Sequence, residues 1–245
     1  MARDIKIKYR RSVLGVLWTL LNPLLMMVVL SVVYSNLFKF DIENFPLYLL
    51  SGQVMFNFYS DATTSSMNAI LGSASLIKKI YVPKYLFVLS RVCSSVINFL
   101  AAFLAMILVM LALRVELHYT VFLSFVPVVL LVIFSLGIGL ILSAITVKFR
   151  DVMHLYSVFV TVIMYLTPVI YPMSILPDWL KIIVKANPLT NYLTMFRDVM
   201  LNNMIFSEGD VLIGIAEAIV ALVLGLYIFY KNQSSVNSNN SSTVV

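Results

Sequence analysis

The chain has 245 residues, of which 61% are hydrophobic and only 11% charged, whereas a soluble domain of this size carries about a quarter charged residues. That much apolar surface cannot be hidden inside a water-soluble globule, so lipid must cover part of it. The 17 Lys and Arg exceed the 11 Asp and Glu to give +6, but the positives stand mostly at the ends of apolar runs, which points to membrane anchoring and away from nucleic acid.

The first element is YRRSVLGVLWTLLNPLL, residues 9–25, which continues into an apolar stretch ending at Phe38. Arg10 and Arg11 beside Trp18 at the head of a long apolar run mark a membrane surface and the point where a chain enters the bilayer. Residues 1–17 read as a cytoplasmic interfacial segment. The run is too long for the apolar core of a cleavable signal and has no small-residue cleavage site after it.

Apolar runs of about 20 residues are long enough to span. They occur at 18–38, 46–69, 86–113, 121–147, 152–171 and 211–230. The chain is therefore expected to be an all-α integral membrane protein of six transmembrane helices, with the membrane domain over 18–230. Residues 172–200 differ. They are semi-apolar and broken by Pro172, Pro177 and Pro188, and the two apolar pieces are too short to span. Each fits a short interfacial or re-entrant helix, with Asp178 as the N-cap of the first and Asn187-Pro188 opening the second. The Asn/Ser-rich tail, 231–245, has the composition of a disordered segment.

Loop charge sets the orientation. With the N-terminus inside, 12 of the 17 Lys and Arg fall on the inner side. Only Lys39, Arg114, Lys181, Lys185 and Arg197 fall outside. Both termini are thus expected in the cytoplasm and the Pro-broken stretch outside. FRDVM occurs at 149–153 and again at 196–200, and NPL at 22–24 and 187–189. The offsets share no period, so they define no repeat architecture.

No glycine begins a phosphate-binding GxxxxGK[ST] loop, so the chain shows no means of hydrolysing a nucleotide. The pair Gly137 and Gly139 lies deep in the fourth run, where close helix packing explains it. Cys93 is the only cysteine, which excludes an intrachain disulfide and a cysteine-based metal site. His118 and His154 fall on opposite sides of the predicted membrane and cannot share a metal.

The second run carries Gln53, Asn57, Asp61, Thr64, Ser65 and Asn68 at spacings of three and four, which puts them on one helix face. A charged Asp near mid-membrane costs about 2.5–3.5 kcal/mol on insertion scales, so this face must meet protein or water. It is either a water-lined substrate path or a set of interhelical hydrogen bonds. Glu217, in the last run, is better read as snorkelling or making one interhelical bond. Tyr34, Tyr59 and Tyr165 belong either to an aromatic belt or to a stacking surface for sugar rings. The loop IKKIYVPKY, residues 77–85, is either a basic membrane-contacting loop or a docking helix for a soluble partner, with Ile77, Ile80 and Tyr81 as its apolar stripe and lysines, Lys84 among them, at the rim.

Taken together and in order, YRRSVLGVLWTLLNPLL, IKKIYVPKY, the KFRD after the fourth run, and TPVIYP followed by NPLT and FRD resemble the permease subunits of bacterial polysaccharide ABC exporters, those of O-antigen, teichoic acid and capsular polysaccharide. The resemblance covers residues 8–230. It implies a homodimer joined to two copies of a separate nucleotide-binding ATPase, with ATP and Mg on that partner and no cofactor on this chain. It implies export of a lipid-linked glycan across the inner membrane. It also implies an amphipathic interfacial helix at the N-terminus involving Arg10, Arg11 and Trp18, and a coupling helix within the loop 73–85. Two external gate helices within 175–200, Trp179 included, are implied as well. Aromatics line the channel in such permeases, which favours Tyr34, Tyr59 and Tyr165 beside Asn57 and Asp61 as the substrate path. A drug or small-lipid exporter is the nearest alternative. A membrane glycosyltransferase is a third, but it would need converging carboxylates or a metal, and Asp61, Asp151 and Glu217 sit at different depths.

Overall fold

The structure, a computed structural model, describes residues 17–37, 42, 44–73, 82–116 and 118–232. Among them it is entirely helical: α1 (Leu17–Leu37), α2 (Phe45–Met67), α3 (Tyr85–Ala112), α4 (Phe125–Lys148), α5 (Val152–Leu166), α6 (Asp178–Lys185), α7 (Pro188–Met200) and α8 (Glu208–Lys231), with short 3-10 turns at Leu71–Ser73, Tyr119–Ser124 and Met173–Ile175. Long helices stand where the six apolar runs lie, and the Pro-broken stretch supplies α6 and α7. Among the described residues, three segments are long and apolar enough to cross a membrane by length and composition alone: Tyr85–Ala112, Tyr119–Lys148 and Glu208–Lys231. Residues 1–16 and 233–245, which include the interfacial Arg10 and Arg11, lie outside the described residues, as do Ile77, Ile80 and Tyr81 of the loop.

The fifth run is expected to be helical to Tyr171 but stops at Leu166, after 15 residues. Thr167 precedes Pro168 and takes an extended backbone (φ −100°, ψ 133°), because the proline ring disfavours a helical residue before it. At 1.5 Å per residue α5 is about 22 Å long. The chain then turns through 167–171 into the Pro-broken stretch.

The packing inverts that of a soluble protein. α2, the most polar of the long helices, is buried along most of its length, with Leu47, Leu49, Leu50, Ser51, Ala62, Thr63 and Ser66 sealed from solvent. The strongly apolar α3 and α8 are peripheral and present Leu100, Leu104, Leu108, Val220 and Val223 outward. Hydrocarbon accepts those side chains and rejects the backbone and hydroxyl groups of α2, so the polar helix goes to the middle.

The most extensive contact is that of α4 with α8, followed by those of α2 with α3 and α4. A Cβ on Gly137 would collide with the backbone of Ala221, and one on Gly225 with the backbone of Gly137. The two helices therefore touch backbone to backbone, as small residues allow in bilayers. A Cβ on Gly139 would meet Ser66 of α2 at 2.8 Å, so α4 is squeezed on two faces. Gly137→Ala and Gly225→Ala should each lower the thermal midpoint of the detergent-purified protein, by an overpacking cost of about 1–3 kcal/mol. At Gly72 a Cβ would find no neighbouring atom within 4 Å among the described residues, so Gly72→Ala should leave the midpoint without a measurable shift.

Candidate functional site

The centre of the molecule is an arginine that loop charge assigns to the outer side and to which the sequence gives no role. Arg197 lies on α7 in the second FRDVM and is 6% exposed. Its Nε donates to Ser51 Oγ at 3.2 Å, Nη1 to the Pro168 carbonyl at 2.6 Å, and Nη2 to the carbonyls of Tyr48 at 2.9 Å and Val169 at 3.0 Å. The guanidinium lies 3.5 Å over the ring of Tyr48, a cation–π contact strengthened by desolvation. The Tyr48 hydroxyl donates to the Tyr171 carbonyl at 2.9 Å. One side chain thus ties α7, the N-terminal end of α2 and the turn after α5. The turn supplies these carbonyls because Thr167-Pro168 breaks the helix there and leaves them without helical donors. Gly52 is part of the seat, since a Cβ there would fall 2.7 Å from Arg197 Nη2 and 2.8 Å from the Val169 carbonyl oxygen. The matching Arg150 of the first FRDVM is exposed in the turn between α4 and α5, so the pentapeptide alone does not set the environment.

α7 is fixed at its other end as well. Asn187 caps it by accepting from the Leu189 amide at 3.1 Å, and its Nδ2 donates to Thr167 Oγ1 at 2.8 Å. Asn191 Nδ2 donates to the Asp210 carbonyl at 3.1 Å, and the Tyr192 hydroxyl to that of Gly214 at 3.0 Å. Both acceptors lie on α8 or its first turn. Glu217, one turn further along, is half-buried beside Asn191. Its Oε2 is buried with no hydrogen-bond partner among the described residues. α6 behaves differently. Asp178, expected to cap it, is its first residue instead. The cap position falls on Pro177, and Asp178 pairs with Lys181 at 3.0 Å. Trp179, Ile182 and Ile183 of α6 are exposed.

The polar residues of α2 do not share one environment. Gln53 is buried, with Oε1 lacking a partner among the described residues. Asn57, Thr64 and Asn68 are exposed and Asp61 and Ser65 half-buried. Asp61 Oδ2 accepts from Ser95 Oγ at 2.8 Å and from Asn98 Nδ2 at 3.2 Å, both on α3. Asp61 lies about 9 Å from the C-terminal end of α2, while Ser95 lies about 15 Å inside α3 from its N-terminus, so the carboxylate sits well within the bundle.

Tyr59 is 4% exposed. It accepts a hydrogen bond from the Tyr156 hydroxyl of α5 at 3.3 Å and stacks on Phe134, which meets Tyr192. In this conformation it closes a seam between α2 and α5 and lines no open passage. Tyr165 is exposed near the end of α5, and Trp18 is exposed on α1. The side chain of Tyr34, on α1, lies outside the described residues. Lys84, in the turn before α3, is buried. A small space lies between α2, α4 and α7, lined by Gly52, Met55, Phe56, Leu131, Thr167 and Leu193. Among the described residues no group of His, Cys, Asp and Glu converges as a metal site.

The family model for ABC-2 type transporters matches the sequence over residues 1–201. The chain belongs to that family. It is similar to the O-antigen export system permease protein RfbA of Klebsiella pneumoniae, 28% identical over 233 residues, 94% of this chain and 88% of the relative. It is 29% identical to the RfbA of Myxococcus xanthus over 223 residues, 90% of this chain and 85% of the relative. The polysialic acid transport protein KpsM of Escherichia coli is 23% identical over 238 residues, 96% and 92% of the two chains.

The Arg197 seat predicts a sharp mutational asymmetry. Arg197→Met should leave the buried Val169 carbonyl without its side-chain donor, at a cost of about 1–3 kcal/mol, while the carbonyls of Tyr48 and Pro168 lose their charged donor and keep the hydroxyls of Ser51 and Tyr48. Arg197→Lys, a point charge without the planar fork, should recover only part of the loss. Gly52→Ala should mimic Arg197→Met by pushing the guanidinium out. Thermal unfolding of the purified protein checks all three.

Proposed function

We propose that this chain is the membrane permease of an ATP-driven exporter that moves a lipid-linked polysaccharide of the O-antigen or capsule type out across the cytoplasmic membrane. The observation that carries the reading is near full-length similarity to permeases of O-antigen and polysialic acid export, together with a polar central helix that lipid cannot solvate. ATP and Mg belong to a separate ATPase subunit, because this sequence has no phosphate-binding loop. The working assembly is two copies of the chain with two of the ATPase.

In this reading α1 to α5 and α8 are six crossings with both termini cytoplasmic. α6 and α7 form the external gate, α6 at the lipid interface through Trp179 and α7 tucked under it. The exposed face of α2, with Asn57, Asp61 and Thr64, forms the wall of the path together with Tyr34, Tyr59 and Tyr165. A polymer of hydroxyls requires such a wall, since each hydroxyl left unpaired in hydrocarbon costs free energy. Tyr59 joins the wall when the seam with Tyr156 parts. The loop 73–85, with Ile77, Ile80, Tyr81 and Lys84, receives the ATPase.

Two measurements test this. Single cysteines placed on a Cys93→Ser background at Lys79 and Ser234 should be protected from a membrane-impermeant reagent added outside, and one at Lys181 should react. Labelling of Ser234 from outside would end the six-crossing topology. For coupling, Ile80→Asp with Tyr81→Asp should abolish polymer export and permease-stimulated ATP hydrolysis at normal membrane levels of the protein. Export by this double variant would remove the loop from the mechanism.

A further inference from the structure

The charges inside the bundle are unevenly distributed. α1 and α5 contain no Asp, Glu, Lys or Arg, and α2 contains only Asp61. The cation at the outer end of the bundle, Arg197, is enclosed, with Nε and both Nη atoms committed to Ser51 and three carbonyls. It has no face left for a polymer. Arg91 lies one turn before Ser95 on α3, half-buried and already engaged within the protein. The exposed groups of the α2 face beside Asp61 are the amides of Asn57 and Asn68 and the hydroxyl of Thr64. Asp61 itself is held by one oxygen. Oδ2 takes both donors from α3, and Oδ1 accepts no hydrogen bond among the described residues.

From this arrangement we propose that the Asp61 face selects an uncharged glycan and rejects an acidic one. The inference rests on the reading of this face as part of the polymer path. The fixed carboxylate presents Oδ1 to sugar hydroxyls, which donate to it, and the neighbouring amides and the Thr64 hydroxyl both donate and accept. A neutral polymer satisfies every group on the face. A polymer with a carboxylate on each sugar brings like charge against Asp61 in a site of low dielectric, and among the described residues the α2 face carries no cation to offset it.

The test uses proteoliposomes that hold the full chain with its ATPase subunit. They receive either a diphosphate-lipid-linked galactan or a sialic-acid homopolymer on the same lipid, and stimulated ATP hydrolysis is read for each. The galactan should stimulate at least about tenfold more than the acidic polymer, a difference of about 1.4 kcal/mol. Asp61→Asn, which keeps an acceptor for Ser95 and Asn98, should bring the ratio to within about threefold by removing that difference. Asn57→Lys should shift the ratio the same way in a chain that retains Asp61, so the outcome does not hang on one variant's assembly. Equal stimulation of the unaltered transporter by both polymers, or a ratio that neither substitution moves, overturns the proposal. Stimulation by neither polymer overturns the exporter reading itself, and this inference with it.

Discussion

The guanidinium of Arg197 meets no carboxylate. Its nitrogens bond to the carbonyls of Tyr48, Pro168 and Val169 and to the Ser51 hydroxyl, and its flat face rests on the Tyr48 ring. A buried arginine without a counterion is costly unless its donors are satisfied, and here the protein satisfies them mainly with backbone. The carbonyls of Pro168 and Val169 are available because Thr167-Pro168 ends α5 early. The broken helix, the glycine at 52 and the arginine at 197 therefore depend on one another. Removing any one leaves the other two with groups they cannot satisfy.

The same constraint orders the rest of the bundle. α2 carries Gln53, Asn57, Asp61 and a run of hydroxyl residues, and has to be wrapped. α4 wraps it by close approach at Gly139, and α3 by donating Ser95 and Asn98 to Asp61. α8 is held to α4 through Gly137 and Gly225 and shows its leucines and valines to lipid. The hydroxyls of Thr63 and Ser66 turn back to the carbonyls of Tyr59 and Ala62 on their own helix, at 2.8 and 2.6 Å, a habit that satisfies a hydroxyl without a neighbour. What remains unwrapped on α2 is the line of Asn57, Thr64 and Asn68.

Much of this is legible from residues alone. Apolar run length locates the long helices to within a few residues, because a bilayer imposes that length. Three prolines flag α6 and α7. Asn187 announces the α7 cap, since Asn before Pro is both a good N-cap and a helix opener. Other features are not legible. Run length counts 167–171 as helix because Val169 and Ile170 are apolar, although Thr167-Pro168 carries the stop signal. Periodicity places the α2 polar residues on one face but cannot tell which neighbours cover it, and Gln53 goes to the interior while Asn57 stays outside. Tyr59 reads as a wall residue because a tyrosine's role depends on who meets its hydroxyl, and its partner Tyr156 lies 97 positions away. Arg197 counts as a loop charge by its place outside the long apolar runs. The one sign of its burial is an arginine amid the apolar residues of a segment too short to span, where an exposed position is hard to assign.

The two seams that flank α2 differ in strength, and the difference follows from donor chemistry. Toward α7 and the 167–171 turn, α2 is held by the charged Arg197 donors, and hydrogen bonds to charged groups contribute about 1.5–3 kcal/mol each, reinforced by the ring contact with Tyr48. Toward α5, the Tyr156 hydroxyl reaches Tyr59 at 3.3 Å and also meets the Thr63 hydroxyl, both neutral contacts, and a neutral hydrogen bond contributes about 0.5–1.5 kcal/mol. Tyr59 also keeps its stacking on Phe134 when that bond is lost, so parting from Tyr156 does not strip it of its packing. The exposed Tyr165 and the apolar outer face of α5, with Leu155, Val158 and Val162, add no further bond to α2. The weaker boundary therefore runs between α2 and α5, beside the aromatic residues, while the Arg197 seat keeps the N-terminal end of α2 joined to α7.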